Sequence, residues 1–388
     1  MIFTRLLGAQ GYGTLAALIS AFLILMVTGQ SVQVAAAREA ALDRLGHPEL
    51  LRATLHAWTR KLLVALIVVT GVSILLRNQI AALIGVRDVP WAAAAIPATG
   101  MLWMLLSLQR GALQGMRRYR PVGISIVVEA AGRLLCGLLL FAVGLGVTGA
   151  LLGTPLAFVL VALWLERELK RRVGPVQQGH GPVRTLRSLI GDGWAPIVGL
   201  LLLAFLQNVD VIVAKHQFVG DDAGSYAAAA VAAKAVVWVA LGIGLHLLPE
   251  ATKRAAAGQD ARPVLLRALV IIAAIAAPAL LIFAAVPELL LRIAFGPGLT
   301  AASGALPVLG VAMALLAVAY LAVQYVLALR KTRFLWILGA MALAEPFWLV
   351  AFGRDLVGFA WIVLAVQAVV ACSMLAVALR ARPGAAAA

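Results

Sequence analysis

Glu129 and Arg133 stand four residues apart inside the otherwise apolar stretch 121–143. At helical spacing they share a face and can pair with each other. An arginine held in place by a carboxylate is a cation that can meet a phosphate, and the same two residues can equally form a self-neutralised structural pair. Asp210 follows Gln207 and Asn208 in the apolar stretch 194–215, where a carboxylate can bind a proton or Na⁺. It can instead pair with Lys234, which lies in the next stretch, 224–249, and is itself a further candidate for substrate binding. Glu345 with Pro346, Gln324, Gln367, Gln30 and Gln33 are weaker candidates, because glutamine in a helix bundle more often makes an interhelical hydrogen bond. His246 is read as a packing residue, and His47, His56, His180 and His216 fall in or beside loops, so the histidines form no catalytic His/Asp cluster. Cys136 and Cys372 both lie in apolar stretches, which argues against a disulfide framework or a CxxC metal site. The chemistry on offer is the binding of anions and small cations. No cofactor is expected, and H⁺ or Na⁺ is the candidate coupling ion.

Such residues need elements that keep them out of lipid. Apolar residues make up 63% of the chain, charged residues 12%, and the mean hydropathy is +1.02. These values place the chain in a bilayer. About 20 apolar residues cross the hydrocarbon core as a helix, and eleven stretches of roughly that length are visible: 14–36, 62–84, 91–109, 121–143, 150–166, 194–215, 224–249, 266–286, 301–328, 334–352 and 357–379. Their continuous apolar pattern favours helices over barrel strands, and no cleavable signal peptide is evident. The fold class is an all-α polytopic membrane protein.

The formal net charge of +16 would point to nucleic acid in a water-soluble protein, but here it follows from membrane orientation. Loops 37–61, 110–120, 167–193, 250–267, 329–333 and 380–388 carry 24 of the 32 Lys and Arg residues, which makes that side and the C-terminus cytoplasmic. Gly8-Ala9-Gln10-Gly11-Tyr12-Gly13 reads against Gly220-Asp221-Asp222-Ala223-Gly224-Ser225, about 212 residues later. Met116-Arg117-Arg118-Tyr119-Arg120 reads against Leu329-Arg330-Lys331-Thr332-Arg333 at nearly the same offset. A repeat of this kind predicts two pseudo-symmetric bundles in a six-plus-six arrangement. The counterpart of 194–215 would fall largely before Met1, so the first helix is expected to be truncated or lost. The expected division is an N-terminal lobe at 1–172, a cytoplasmic linker at 173–193, and a C-terminal lobe at 194–388. The linker is Gly/Pro-rich from Gly174 to Pro182, and Arg184–Ile190 has the pattern of a short interfacial helix. Segment 37–61 has a similar surface-anchor pattern. Gly149 and Gly153 have the small-xxx-small spacing of closely packed helices.

These motifs together resemble a family. Arg5-Leu6-Leu7-Gly8 with Tyr12-Gly13, Leu113-Gln114-Gly115-Met116-Arg117-Arg118-Tyr119 followed by Glu129 and Arg133, Asn208-Val209-Asp210, Gly224-Ser225-Tyr226, Leu248-Pro249-Glu250 and Leu291-Arg292-Ile293-Ala294-Phe295-Gly296 occur in an order similar to that of bacterial polysaccharide flippases. Those proteins are part of the multidrug/oligosaccharidyl-lipid/polysaccharide (MOP) superfamily, which includes the MATE exporters. The resemblance covers nearly the whole chain.

It implies a MATE-like fold of twelve or fourteen helices in two lobes, around a cleft that opens alternately to each side of the bacterial cytoplasmic membrane. It also implies a polyprenyl-linked saccharide as cargo for cell-surface polysaccharide biosynthesis, an ion gradient that often drives the motion, and polysaccharide-assembly enzymes as partners. Under it, Arg133 becomes the head-group contact, Glu129 its partner and Asp210 the coupling site. The chain departs from the pattern in having few cations within spans: Arg77, Arg133 and Lys234. Three alternatives stay open: export of small cationic compounds on the same fold, a membrane glycosyltransferase or ligase, and a non-transporting scaffold. The enzyme reading is disfavoured because the longest outer loop, 287–300, is too short to hold donor and acceptor.

Overall fold

A long apolar chain in lipid satisfies its backbone by closing N–H···O=C bonds within each segment, and the chain is helical almost throughout. The computed structural model describes residues 2–41, 48–173, 194–257, 259–329 and 331–381. Its helices are α1 (Ile2–Ala41), α2 (Pro48–Leu75), α3 (Arg77–Ile84), α4 (Pro90–Gly115), α5 (Tyr119–Leu140), α6 (Gly146–Val173), α7 (Trp194–Gln217), α8 (Asp221–Ala256), α9 (Arg262–Ala285), α10 (Pro287–Ala294), α11 (Leu306–Ala328), α12 (Phe334–Phe352) and α13 (Leu356–Arg380). Among the described residues, ten segments are long and apolar enough to cross a membrane, and one of them, Tyr119–Arg171, contains two helices, α5 and α6. The interfacial helix expected at 184–190, and the linker from 174 onward, lie outside the described residues.

Among the boundaries that differ from the sequence expectation, α1 runs from Ile2 to Ala41 and not 14–36, α2 starts at Pro48 within the expected loop 37–61, and three others bear on the argument. Stretch 62–84 is two helices, because the chain breaks at Leu76 and α3 begins at Arg77. Arg77 donates through Nη1 to the carbonyl of Ile74 at 3.1 Å and lies over the ring of Trp91, so a cation caps the end of α2. Residues 287–300 are not an open loop: they fold into α10 and a 3₁₀ turn at Pro297–Leu299. The helix expected to end at 109 continues as α4 to Gly115, so Arg110 belongs to a helix and leaves the count of loop cations.

Backbone geometry repeats along the chain as the motifs do. Gly8 and Gly220 both have positive φ, 68° and 67°. Gly8 kinks α1, while Gly220 separates α7 from α8. At the second motif, Met116 N donates to Ala112 O and Arg118 N to Leu113 O; the same two bonds recur as Leu329 N to Tyr325 O and Lys331 N to Val326 O. The correspondence extends to α3 and α10. Leu76 N to Val72 O and Ile80 N to Leu76 O match Val286 N to Ile282 O and Leu290 N to Val286 O.

The helices form two compact units, one of residues 1–17 with 198–388 and the other of residues 18–197. The first seventeen residues therefore cluster with the second half of the chain, whereas the sequence division assigned them to the first. The cause is glycine packing: a Cβ on Gly13 would lie 2.9 Å from Gly224 N, and one on Gly224 would strike the carbonyl of Ala9. Tyr12 stacks obliquely on Phe295 in the same unit.

In the unit of residues 18–197, α4 is the central element and runs alongside α1. Gly111 fits against Gln33 O and the Ala36 methyl, and Gly115 against Ala37 and Ala40. Trp103 Nε1 donates to Met26 O at 2.8 Å, and its ring packs on Phe158, which also meets Phe22. Helices α5 and α6 form an antiparallel hairpin turned at Gly144 and Gly146, both with positive φ. Gly153 lies directly against Gly137, and Gly149 against Leu140, which is the close approach their spacing predicts.

In the other unit α11 is buried nearly all round, as expected of a helix that is apolar on every face. It packs on α8, whose Ala227–Ala230 and Ala233 have almost no exposed surface. Leu343, Phe347, Val350 and Phe352 on α12 are exposed, as are Val127, Leu135 and Leu139 on α5. In a bilayer these side chains face lipid and need no protein partner.

Candidate functional site

The unit of residues 18–197 holds a charged triad on α4 and α5. Glu129 Oε2 lies 2.8 Å from Arg110 Nη2, a close ion pair. Arg110 Nε donates to Ser125 Oγ at 2.8 Å, and Ser125 Oγ donates to Val122 O at 2.6 Å. Arg133 Nη1 meets Glu129 Oε1 at the longer distance of 3.5 Å. The two arginine side chains differ in exposure, 3% for Arg110 and 34% for Arg133. Arg110 also lies over Trp103 and Arg133 over Phe158, so aromatic faces support both guanidinium groups. With two cations and one carboxylate, the triad carries one surplus positive charge, and Arg133 is the more exposed of its two arginines.

The sequence reading paired Glu129 with Arg133 and placed Arg110 in a loop. The structure keeps that pair and adds Arg110 as the closer partner. A signal for this was present in the turn at 116–118: in an antiparallel hairpin about that point, residue 110 falls opposite 125–129. The apolar run ending at Gln109 concealed it, because a charge at the end of such a run reads as the start of a loop. Nearby, Gln109 Nε2 donates to Glu166 Oε2 at 3.4 Å, and Glu166 also pairs with Lys170.

The other unit holds a second polar cluster, on α7, α8, α12 and α13. Asp210 accepts from Tyr226 Oη at 3.1 Å through Oδ2, and pairs with Lys234 Nζ at 3.3 Å through Oδ1. All three are buried, so the ammonium of Lys234 is committed to Asp210. Tyr226, the aromatic residue of the repeated motif, also packs edge-on against Phe359. Glu345 is fully buried, and Asp210 and Lys234 are its electrostatic neighbours. Gln367, also buried, donates through Nε2 to Leu206 O at 3.1 Å, and Asn208 Nδ2 bonds back to Ala204 O. Sequence reasoning placed Asp210 and Lys234 on neighbouring helices and ranked Glu345 low; their convergence is tertiary.

The remaining candidates are dispersed. Gln33 Nε2 bonds Gln114 Oε1 at 3.1 Å, Gln324 Nε2 bonds Tyr320 Oη at 3.0 Å, and Gln30 is exposed. Their bonds tie helix to helix or turn to turn, the structural role weighed for them. The side chain of His246 lies outside the described residues.

Apolar helices of spanning length, with charged groups buried among them at two places, define a multi-pass α-helical membrane protein. Its fold is that of MOP-superfamily transporters. The structure is similar to that of a multidrug resistance MATE family transporter in an inward-facing conformation, with a TM-score of 0.77 at 14% identity over 97% of this chain and 93% of that one. It is also similar to the lipid II flippase MurJ in an inward closed conformation, with a TM-score of 0.70 at 11% identity over 97% and 86% of the two chains. A MOP superfamily transporter from Pyrococcus furiosus, described as having a binding pocket of reverse polarity, gives 0.61 at 16% identity over 97% and 89%. No curated protein matches the chain in sequence. The chain belongs to the polysaccharide biosynthesis protein family, whose profile matches residues 1–249.

Proposed function

We propose that the protein is a flippase that moves a polyprenyl-linked saccharide from the cytoplasmic to the outer leaflet of the bacterial cytoplasmic membrane, for cell-surface polysaccharide biosynthesis. The observation that carries this reading is the surplus positive charge of the Arg110–Glu129–Arg133 triad, with Arg133 one-third exposed. A lipid-linked saccharide carries its charge on the phosphate linkage, and a guanidinium oriented by a carboxylate is suited to meet it. Arg133 is then the head-group contact. Glu129 fixes its direction, and Arg110 supplies the charge that prevents Glu129 from neutralising it. Family membership and the fold shared with MurJ support the same reading. Transport proceeds by alternating access, and cargo shifts that equilibrium only as far as it binds the two states differently. The Lys- and Arg-rich loops face the cytoplasm with the C-terminus. The bilayer, the lipid-linked saccharide and polysaccharide-assembly enzymes are its partners, and no bond is made or broken in the cargo.

Export of small cationic compounds would call for a site dominated by acids. The triad has the opposite balance. The test is translocation of a fluorescent polyprenyl-diphosphate saccharide in proteoliposomes, read with a membrane-impermeant quencher. Arg133→Ala is expected to lower the rate at least about tenfold, the equivalent of one charge-assisted contact of ~1.5 kcal/mol or more, while Arg133→Lys retains part of it. A folded Arg133→Ala protein that transports at the unmodified rate would show the head-group assignment to be wrong. Transport of cationic dyes without the saccharide would replace the function. Cysteines introduced as Arg118→Cys and Arg254→Cys are expected to resist an impermeant outside label in cells, and labelling of either would invert the topology.

A further inference from the structure

Helix α4 ends in a turn of a kind usually built with glycine. Arg118 N donates to Leu113 O at 2.8 Å and Arg117 N to Gln114 O at 2.9 Å, the pair of bonds that closes a helix around one residue of positive φ. That residue is Arg117, with φ of 56°, and no other non-glycine residue has positive φ among the described residues. Glycine adopts this conformation freely, whereas a side chain is strained by it. The second copy of the motif has an arginine at the same place in the sequence, Arg330. An arginine set where glycine fits better points to a role for the side chain.

Arg117, Arg118, Tyr119 and Arg120 are all exposed. Elsewhere on the side read as cytoplasmic, cations are matched to an acid one turn away: Lys170 with Glu166, Arg171 with Glu168 and Arg254 with Glu250. Among the described residues no acid pairs with the three arginines of this turn, and the first turn of α5 contains none. Further along α5, Ile124, Ile126 and Val127 are exposed and face lipid. Three cations and an aromatic ring at a helix end, continuous with an apolar helix surface, match a phospholipid with its phosphate at the turn and its acyl chains along α5. We propose that the α4–α5 turn binds the phosphate of an anionic phospholipid of the cytoplasmic leaflet, with Arg117 as its principal contact. The inference rests on the orientation of the Arg-rich loops toward the cytoplasm and holds whatever the cargo. Arg110 lies about two helical turns before Arg117, so a lipid that holds the turn at headgroup level also fixes the depth of the charged triad.

The test uses the full chain in phosphatidylcholine vesicles at low salt, doped with a photoactivatable phosphatidylglycerol and, as control, with photoactivatable phosphatidylcholine; adducts are mapped by peptide mass spectrometry. Phosphatidylglycerol is expected to label segment 117–127 at least about fivefold more than phosphatidylcholine, the preference that one cation at the surface supplies, and to lose that preference at high salt. Arg117→Gly is expected to lower the labelling about fivefold while melting no lower than the unmodified protein, because glycine relieves the positive φ. Arg117→Lys keeps the charge and should keep most of the labelling. Unchanged labelling in Arg117→Gly, or equal labelling by the two lipids, would overturn the proposal. So would displacement of the label by stoichiometric polyprenyl diphosphate, which would assign the turn to the cargo. None of these outcomes depends on transport, so failure here is distinguishable from failure of the flippase reading.

Discussion

Replacing Arg110 by methionine tests the triad most directly, because stability and transport should respond to different parts of it. The substitution removes a 2.8 Å ion pair to a carboxylate whose side chain is 10% exposed, the Nε bond to Ser125 and the contact with Trp103. Breaking one side of a buried pair typically costs about 3–5 kcal/mol. Arg133 can close on Glu129 from 3.5 Å and recover about 1 kcal/mol, so a loss of ~2–4 kcal/mol is expected for Arg110→Met. Removing the carboxylate too, in Arg110→Met with Glu129→Leu, leaves no uncompensated charge among the buried members of the triad, Arg133 being one-third exposed, and should return stability to within about 1 kcal/mol of the unmodified protein. The assay is reversible unfolding in mixed micelles, read by tryptophan fluorescence. Transport should follow the charge count: Arg110→Met leaves one cation and one anion and should be inactive, while the double variant regains a lone Arg133 and should recover part of the activity. Equal destabilisation of the single and double variants would refute the reasoning. An Arg110→Met protein that transports normally would remove the surplus charge from the mechanism.

Gly8→Ala and Gly220→Ala both force an L side chain into a backbone of positive φ, so each should cost at least about 1 kcal/mol; thermal unfolding of each variant checks this. Gly153→Ala places a methyl against Gly137 in the α5–α6 hairpin and should destabilise by about 1–3 kcal/mol in the same assay, whereas Gly71→Ala, with open space around it, should not. Asp355→Ala removes the side-chain cap that accepts from Val357 N at 3.1 Å and Gly358 N at 2.8 Å, and should cost about 1 kcal/mol, read as earlier hydrogen exchange at the start of α13.

Much of the architecture was legible because lipid imposes strong one-dimensional constraints. An apolar run long enough to span becomes a helix here, and the duplicated Gly-rich segment puts a glycine of positive φ at the same place in each copy, Gly8 and Gly220. Breaks inside apolar runs were less legible: Arg77-Asn78-Gln79 mark the end of α2, but the apolar residues that resume at Ile80 let 62–84 read as one span. Arg110 was misplaced for the converse reason, that a charge looks like a boundary until a partner is known. The association of residues 1–17 with the second half depends on Gly13 meeting Gly224, a contact between residues far apart in the chain.

Composition, periodicity and repetition, which are properties of neighbours along the chain, were enough for the membrane solvent, the helical class, the internal duplication and the pairing of Glu129 with Arg133 one turn away. Which charge is surplus and which is cancelled depends on distances between helices, and the sequence carries no measure of those. Only the packed structure brought Arg110 to Glu129, committed Lys234 to Asp210, and buried Glu345 beside that pair. The physical reason is that a buried charge is defined by its partners, and in this chain the deciding partners come from other helices.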